Sequence, residues 1–208
     1  MMKSSFLRHR SVIGFFRPWI KLGALLIIGL IYCIGSVFAD PTEADLFSAD
    51  GYRKAQYRSP TLDDVPGGQT ITAQELKGRL DRHAPLGLVD VLPVPPRPAD
   101  LPQDTLWLPA KHDNIPGSVW LPDTGQPVLS PALETYFKQG MDKAIGGDKT
   151  VPVVLYCRED CWMSWNAAKR AAQWGYQVLW YPGGIEAWSR AGYPLSESHP
   201  EPSVELGR

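Results

Sequence analysis

Two cysteines four residues apart are the side chains of this chain best suited to chemistry. Cys157 and Cys161 enclose a short loop, and Trp162 follows it directly. A second thiol at this spacing can attack a persulfide, a sulfenate or a mixed disulfide on the first and close a disulfide. We therefore expect Cys157 to react first and Cys161 to resolve the intermediate. A pair of buried or disulfide-bonded structural cysteines is the alternative that the spacing leaves open.

The segments on either side of the loop predict where it lies. Residues 151–156 are almost all apolar, as in a strand covered on both faces, and residues 166–174 form an alanine-rich helical segment that ends at Gly175. Ligands of an open parallel sheet collect beyond the carboxyl ends of its strands, where Cys157 would lie. Backbone N–H groups there can favour a thiolate and hold an anion. The sequence thus predicts an anion-binding loop around the cysteines, formed by Arg158, Glu159, Asp160, Trp162, Met163 and Ser164.

The charges of this loop narrow the choice of anion. Glu159 and Asp160 should repel a dianionic donor such as thiosulfate and oppose a thiolate at Cys157, and Arg158 offsets only part of that effect. Ordinary thiosulfate chemistry is therefore disfavoured.

Three residues outside the loop are candidates for supporting roles. Asp90, near the end of an apolar strand, is expected to organise the site or to serve in a cap or salt bridge. Trp165 lies three residues after Trp162, and the pair could form an aromatic wall for a ligand or partner, or pack in the core. His112 is a weak candidate for proton transfer. The sequence has no metal-ligand cluster and no nucleotide-binding motif, so we expect no metal and no directly bound cofactor.

Strands alternate with helices through most of the chain. Apolar strands are predicted at residues 86–92, near Val119, at 151–156 and at 178–181. Helices are predicted from Thr72, from Ser130, over 166–174 and over 185–190. This order predicts an α/β fold with an open parallel sheet and helices on both faces.

The ends of the chain differ in composition from its middle. Residues 1–39 have a basic start, an uncharged stretch over 22–37 and small residues before Asp40, as in an export signal; retention as a membrane anchor is the alternative. We predict a signal peptide at 1–39, an extended N-terminal arm at 40–69, one domain at 70–195 and a flexible tail at 196–208. The expected location is the periplasm, with a membrane contact only if the signal is uncleaved.

Charge and cysteine content limit the possible functions of the mature chain. Removal of residues 1–39 leaves 16 basic and 22 acidic residues. An acidic domain of this kind argues against nucleic acid as a partner. Cys33 is removed as well, so only Cys157 and Cys161 remain in an oxidising compartment.

The order of several short motifs resembles the rhodanese family over residues 70–195. The second half of such a domain is similar to VVLYCR at 153–158, GY at 175–176, GGIEAW at 183–188 and AGYPL at 191–195; the first half is similar to LVDV at 88–91 and IPGS at 115–118. More narrowly, CWMSWNAAKR at 161–170 resembles the PQQ-dependent catabolism-associated CXXCW motif proteins. One residue more than in ordinary single-domain rhodaneses separates Cys157 from Gly175.

The resemblance implies a set of functional expectations. Cys157 would carry the persulfide of a sulfurtransferase, acting on a small sulfur or thiol substrate. The narrower group is linked to periplasmic alcohol oxidation, which implies a quinoprotein dehydrogenase or cytochrome c as partner and PQQ only through that pathway. We therefore expect sulfur or thiol-disulfide transfer at Cys157 and Cys161. The alternatives are a non-catalytic binding module with the rhodanese fold and a classical thiosulfate sulfurtransferase.

Overall fold

The structure, a computed structural model, describes residues 41–95, 98–102, 104–105 and 111–202. The predicted signal peptide at 1–39 and the end of the predicted tail at 203–208 lie outside the described residues. Within the described ranges, no helix combines the length and the apolar character needed to cross a membrane.

In the part of the chain that the structure describes, seven strands form one parallel sheet and one antiparallel pair. They are β1 (Gln69–Thr70), β2 (Gly87–Asp90), β3 (His112–Asn114), β4 (Val119–Trp120), β5 (Val153–Tyr156), β6 (Val178–Tyr181) and β7 (Ser196–Ser198). The sheet has the order β1-β6-β5-β2-β4, and every neighbouring pair in it is parallel. All four residues of the central strand β5 are buried, as expected of a strand covered on both faces.

Helices cover both faces of the sheet. The helices among the described residues are α1 (Glu43–Leu46), α2 (Ala73–Asp81), α3 (Pro131–Ala144), α4 (Trp162–Gln173) and α5 (Gly184–Arg190). Phe137 of α3 and Ala167 of α4 belong to the apolar cluster on one face, whereas Leu76 of α2 and Trp188 of α5 belong to the cluster on the other. The predicted α/β class with an open parallel sheet and helices on both faces is confirmed.

The helix starts show how local sequence sets the elements. The Thr72 hydroxyl accepts a hydrogen bond from the Glu75 N–H at 3.2 Å, and the Glu75 carboxylate accepts one from the Thr72 N–H at 2.9 Å. These reciprocal bonds satisfy donors that the first turn of α2 leaves unpaired. Helix α4 begins at Trp162, four residues before the alanine-rich segment that predicted it, and Cys161 is therefore its N-cap residue.

The end of the described chain is paired with the domain. Where the sequence predicted a flexible tail from residue 196, the structure has strand β7, antiparallel to β3. Glu201 continues this contact, because its N–H donates to the Trp120 carbonyl at 2.9 Å and its carboxylate accepts from Lys143 at 2.7 Å. The partner strand β3 is more than 80 residues away in sequence, so no local pattern indicated the pairing.

Candidate active site

The two cysteines lie where the sequence predicted, between the central strand and a helix. Cys157 directly follows β5, and Cys161 directly precedes α4. Both are free thiols, and both are almost completely buried, with 1% and 4% of their surface exposed. The structure therefore brings the two predicted reactive side chains together beneath the protein surface.

The two cysteine side chains differ in their electrostatic environment. Hydrogen bonding from the neighbouring Cys157 thiol lowers the pKa of Cys161 to about 7. The Cys161 side chain makes no capping hydrogen bond at the start of α4. The backbone N–H groups of Met163, Arg158 and Ser164 nevertheless also lower the pKa of Cys161. Burial, followed by the neighbouring Cys161 and the charge of Asp90, raises the pKa of Cys157. This environment favours a thiolate at Cys161 and a thiol at Cys157.

Two charged residues of the loop, Arg158 and Glu159, are paired with residues of α5. Arg158 Nε lies 2.5 Å from the Glu186 carboxylate, which also accepts the Glu159 N–H at 2.9 Å. The Glu159 carboxylate lies 2.5 and 2.8 Å from the Arg190 guanidinium. A carboxylate of the chain itself thus binds the cation and the Glu159 amide of the predicted anion-binding loop. Sequence reasoning missed Glu186 and Arg190, although both belong to or adjoin the GGIEAW motif.

Gly184 allows α5 to approach the loop this closely. Its φ of +54° lies in the left-handed region, and a Cβ at this position would lie 2.6 Å from Arg158 Cα and from Glu159 N. Ile185 N–H also donates to the Cys157 carbonyl at 3.2 Å. One side of the cysteine loop is therefore held by direct backbone packing against α5.

Asp90 forms a buried pair with His112. Its Oδ2 lies 2.6 Å from His112 Nε2, and its Oδ1 accepts the Leu92 N–H at 2.9 Å. Burial raises the pKa of Asp90, and the contact with His112 opposes that effect. Asp90 thus makes the predicted salt-bridge type of contact, at a strand end next to β5, and influences Cys157 through its charge. The pairing of His112 with Asp90 was not foreseen in the sequence.

The two tryptophans after the loop pack against the N-terminal arm. The Trp162 ring contacts the edges of the Phe47 and Trp165 rings, each with centroids 5.3 Å apart, and its Nε1 donates to Ser59 Oγ at 3.0 Å. Trp165 Nε1 donates to the Asp64 carbonyl at 2.8 Å. Both indoles are buried, so the aromatic wall contacts residues of the chain itself.

Polar residues of α4 hold the same arm. The buried Asn166 side chain accepts from the Arg53 N–H at 2.9 Å and donates to the Arg53 carbonyl at 2.8 Å. Lys169 Nζ donates to the carbonyls of Asp50 and Gly51, both at 2.8 Å. Helix α4 therefore binds arm backbone along several of its turns.

The middle of the arm pairs with the cysteine loop as a short antiparallel bridge. Arg58 stands opposite Cys161. The Trp162 N–H donates to the Tyr57 carbonyl at 2.9 Å, and the Ser59 N–H donates to the Asp160 carbonyl at 3.2 Å. Asp160 has a φ of +52°, which turns the loop sharply just before the bridge. The arm thus lies directly against Cys161 along this bridge.

The remaining predicted loop residues support α4. Ser164 Oγ donates to the Cys161 carbonyl at 2.9 Å and accepts from Trp180 Nε1 at 3.1 Å, and Met163 is buried in the core. Among the described residues, no three histidine, cysteine, aspartate or glutamate side chains are grouped so as to hold a metal ion. The arrangement consists of a buried dithiol under a backbone cover.

Comparison with known proteins identifies the family. Among solved structures, the BH2092 protein from Bacillus halodurans is 21% identical over 62% of this chain and 77% of its own, with a TM-score of 0.42. The thiosulfate sulfurtransferase from Pseudomonas aeruginosa is 17% identical over 64% of this chain and 21% of its own, also with a TM-score of 0.42. No curated protein gave a significant match. The rhodanese-like domain family matches residues 72–191, more than half of the chain, and the chain belongs to this family.

Proposed function

We propose that Cys157 and Cys161 carry out thiol-disulfide exchange as a dithiol pair. The observation that carries this proposal is the placement of two free, buried thiols at the two ends of one short loop, between the central strand β5 and helix α4. The neighbouring Cys157 thiol lowers the pKa of Cys161 to about 7. A thiol with a pKa near the ambient pH combines a large thiolate fraction with good nucleophilicity. The neighbouring Cys157 provides the second thiol that such an exchange requires.

The electrostatics support an order of attack opposite to the one expected from sequence. The Cys161 thiolate attacks one sulfur of an external disulfide, which forms a mixed disulfide and expels the other sulfur as a thiolate. Cys157 then attacks the Cys161 sulfur and gives its proton to the departing second thiolate. The substrate leaves with two more electrons, and the protein keeps a disulfide between Cys157 and Cys161.

Sulfur transfer is the second candidate, supported by family membership and by the place of Cys157 after the central strand. A persulfide on Cys157 would be attacked at its inner sulfur by Cys161, which releases hydrosulfide and closes the same disulfide. Classical transfer from thiosulfate is less well supported, because Glu186 already binds Arg158 and the Glu159 amide.

Intact mass spectrometry on protein isolated without reductant separates the candidates. For thiol-disulfide exchange, we expect a mass lower by two hydrogens, which reductant restores, together with turnover of a disulfide substrate. One additional sulfur on Cys157 would favour sulfur transfer instead. If neither Cys157→Ser nor Cys161→Ser changed any activity, while a bound protein still co-purified with the double variant, the non-catalytic binding module would replace both.

We also propose export to the periplasm and a role in support of quinoprotein-dependent alcohol oxidation. The composition of residues 1–39 supports the location, and the resemblance of residues 161–170 to the CXXCW motif group supports the pathway. Fractionation tests the first, with the protein expected among periplasmic proteins. Growth on alcohols tests the second: a strain carrying Cys157→Ser should grow more slowly, and unchanged growth would contradict the role.

A further inference from the structure

We propose that the disulfide substrate of this site is an extended polypeptide, which displaces residues 57–59 and pairs as a strand with residues 160–162. This inference rests on the proposed exchange at Cys161 and adds the class of substrate. It follows from the way in which the arm covers the sulfur, since this cover is itself made of strand-type backbone hydrogen bonds.

The bridge between the arm and the loop presents a ready strand edge. Its two bonds, from Trp162 N–H to the Tyr57 carbonyl and from Ser59 N–H to the Asp160 carbonyl, flank the pair formed by Arg58 and Cys161. When the arm segment leaves, the Trp162 N–H and the Asp160 carbonyl lose their strand-type partners, and the Glu159 carbonyl and Trp162 Nε1 lose side-chain partners from the arm. A second extended chain can satisfy the first two groups in the same register.

The register places a substrate sulfur within reach of Cys161. Arg58 and Cys161 form the non-hydrogen-bonded type of antiparallel pair, in which the Cα atoms are about 4.5 Å apart. Disulfides span Cα separations of about 4.4 to 6.8 Å. A cysteine that takes the place of Arg58 would therefore have its Cα within the range that a mixed disulfide with Cys161 requires.

The arm segment has buried anchors at its ends, and between them it contacts the loop through hydrogen bonds. Besides the two bonds of the bridge, Arg58 donates to the Glu159 carbonyl at 2.6 Å and Trp162 Nε1 donates to Ser59 Oγ at 3.0 Å. Arg53 is buried and its backbone is bound by Asn166, and Val65 is buried in the core. Between these anchors, Arg58 is exposed, and Gln56 has a φ of +49°, a region that side chains other than glycine rarely adopt. The segment can thus open while the arm stays attached.

The first half of the loop is not free to pair with a second chain. The start of α5 lies in backbone contact with it, and even one added carbon at Gly184 would overlap Arg158 and Glu159. Strand pairing is therefore confined to residues 160–162.

The test uses the full chain and a five-residue peptide with a central cysteine, joined by a disulfide to 5-thio-2-nitrobenzoate. Release of the coloured thiolate gives the rate constant. Two further peptides each carry one N-methyl group. In the first, it is on the residue after the cysteine, whose N–H would replace that of Ser59. In the second, it is on the cysteine itself, whose N–H would point away from the loop. Loss of one hydrogen bond should lower the rate constant roughly 5-fold for the first. The second should react like the unmodified peptide.

Two variants test the cover independently of the peptide. Ser59→Pro removes both the N–H and the hydroxyl, whereas Ser59→Ala removes the hydroxyl alone. Iodoacetamide should modify Cys161 roughly 5-fold faster in Ser59→Pro than in Ser59→Ala, because one backbone bond of the cover is missing.

The outcomes distinguish this inference from the proposed function. If Cys161 reacts with all three peptides at equal rates, strand pairing is refuted and the exchange function stands. Equal modification rates in the two Ser59 variants would refute the role of residues 57–59 as the cover. If Cys161 reacts with no disulfide at all, the proposed function fails, and the substrate class fails with it.

Discussion

Removal of the Cys157 thiol should raise the pKa of Cys161. In the structure, the hydrogen bond from Cys157 is the main cause that brings this pKa down to about 7. A hydrogen bond to a charged acceptor contributes about 1.5 to 3 kcal/mol, and 1.36 kcal/mol corresponds to one pH unit. In Cys157→Ala, we therefore expect the thiolate of Cys161 to form with a midpoint roughly one to two pH units higher than in the wild type.

Thiolate absorbance near 240 nm measures this midpoint during a pH titration, and the pH dependence of iodoacetamide modification checks it. Because the anion is the reactive form, modification of wild-type Cys161 should accelerate as the pH rises through about 7. Cys157→Ser is the matched control, since a hydroxyl can still donate to the sulfur, and its midpoint should stay close to the wild type. The reasoning is refuted if both variants shift the midpoint equally, or if the wild-type transition near 7 survives in Cys161→Ser.

Three further substitutions test the packing around the site, each measured by urea denaturation. Gly184→Ala should lower the free energy of unfolding by about 2 kcal/mol more than Gly175→Ala, because both positions have positive φ but only the first Cβ meets backbone; equal losses would contradict the close packing. Asn166→Ala should lower the free energy of unfolding by about 3 kcal/mol, because it leaves the N–H and carbonyl of Arg53 and the carbonyl of Gly125 unpaired. It should also speed hydrogen exchange in the arm, and unchanged exchange would argue against a role of Asn166 in holding the arm. Glu159→Gln should cost less than about 1 kcal/mol, since its salt bridge is largely exposed, and a larger loss would point to a buried role.

Local patterns explain which features could be predicted from the sequence. The apolar run that became β5 located Cys157 at a strand end, and the Thr72 to Glu75 spacing located the start of α2. Each of these signals lies within a few residues, because a buried strand or a helix cap depends on its immediate neighbours. The sheet and the position of the cysteine loop followed from such signals.

The features that escaped prediction depend on contacts between distant segments. Asp90 and His112 are 22 residues apart, and Arg58 meets Cys161 across more than 100 residues. No local periodicity records such pairs, so sequence reasoning treated His112 as isolated and could not say what would cover the loop. The proposed exchange of roles between the two thiols could not be predicted for the same reason, since it depends on the surroundings of each sulfur in the folded chain.

The motif at residues 161–170 and the N-terminal arm at residues 40–69 form one structural unit. Trp162, Trp165, Asn166 and Lys169 would be expected to line an open site if the motif bound a ligand directly, yet each of them binds a residue of the arm. Cys161 itself belongs to the sulfur pair, and the N–H groups of Met163 and Ser164 lower its pKa. The other four side chains act indirectly, by holding the segment that covers Cys161. It follows that changes in the arm should alter access to the thiolate while the cysteine loop itself stays the same.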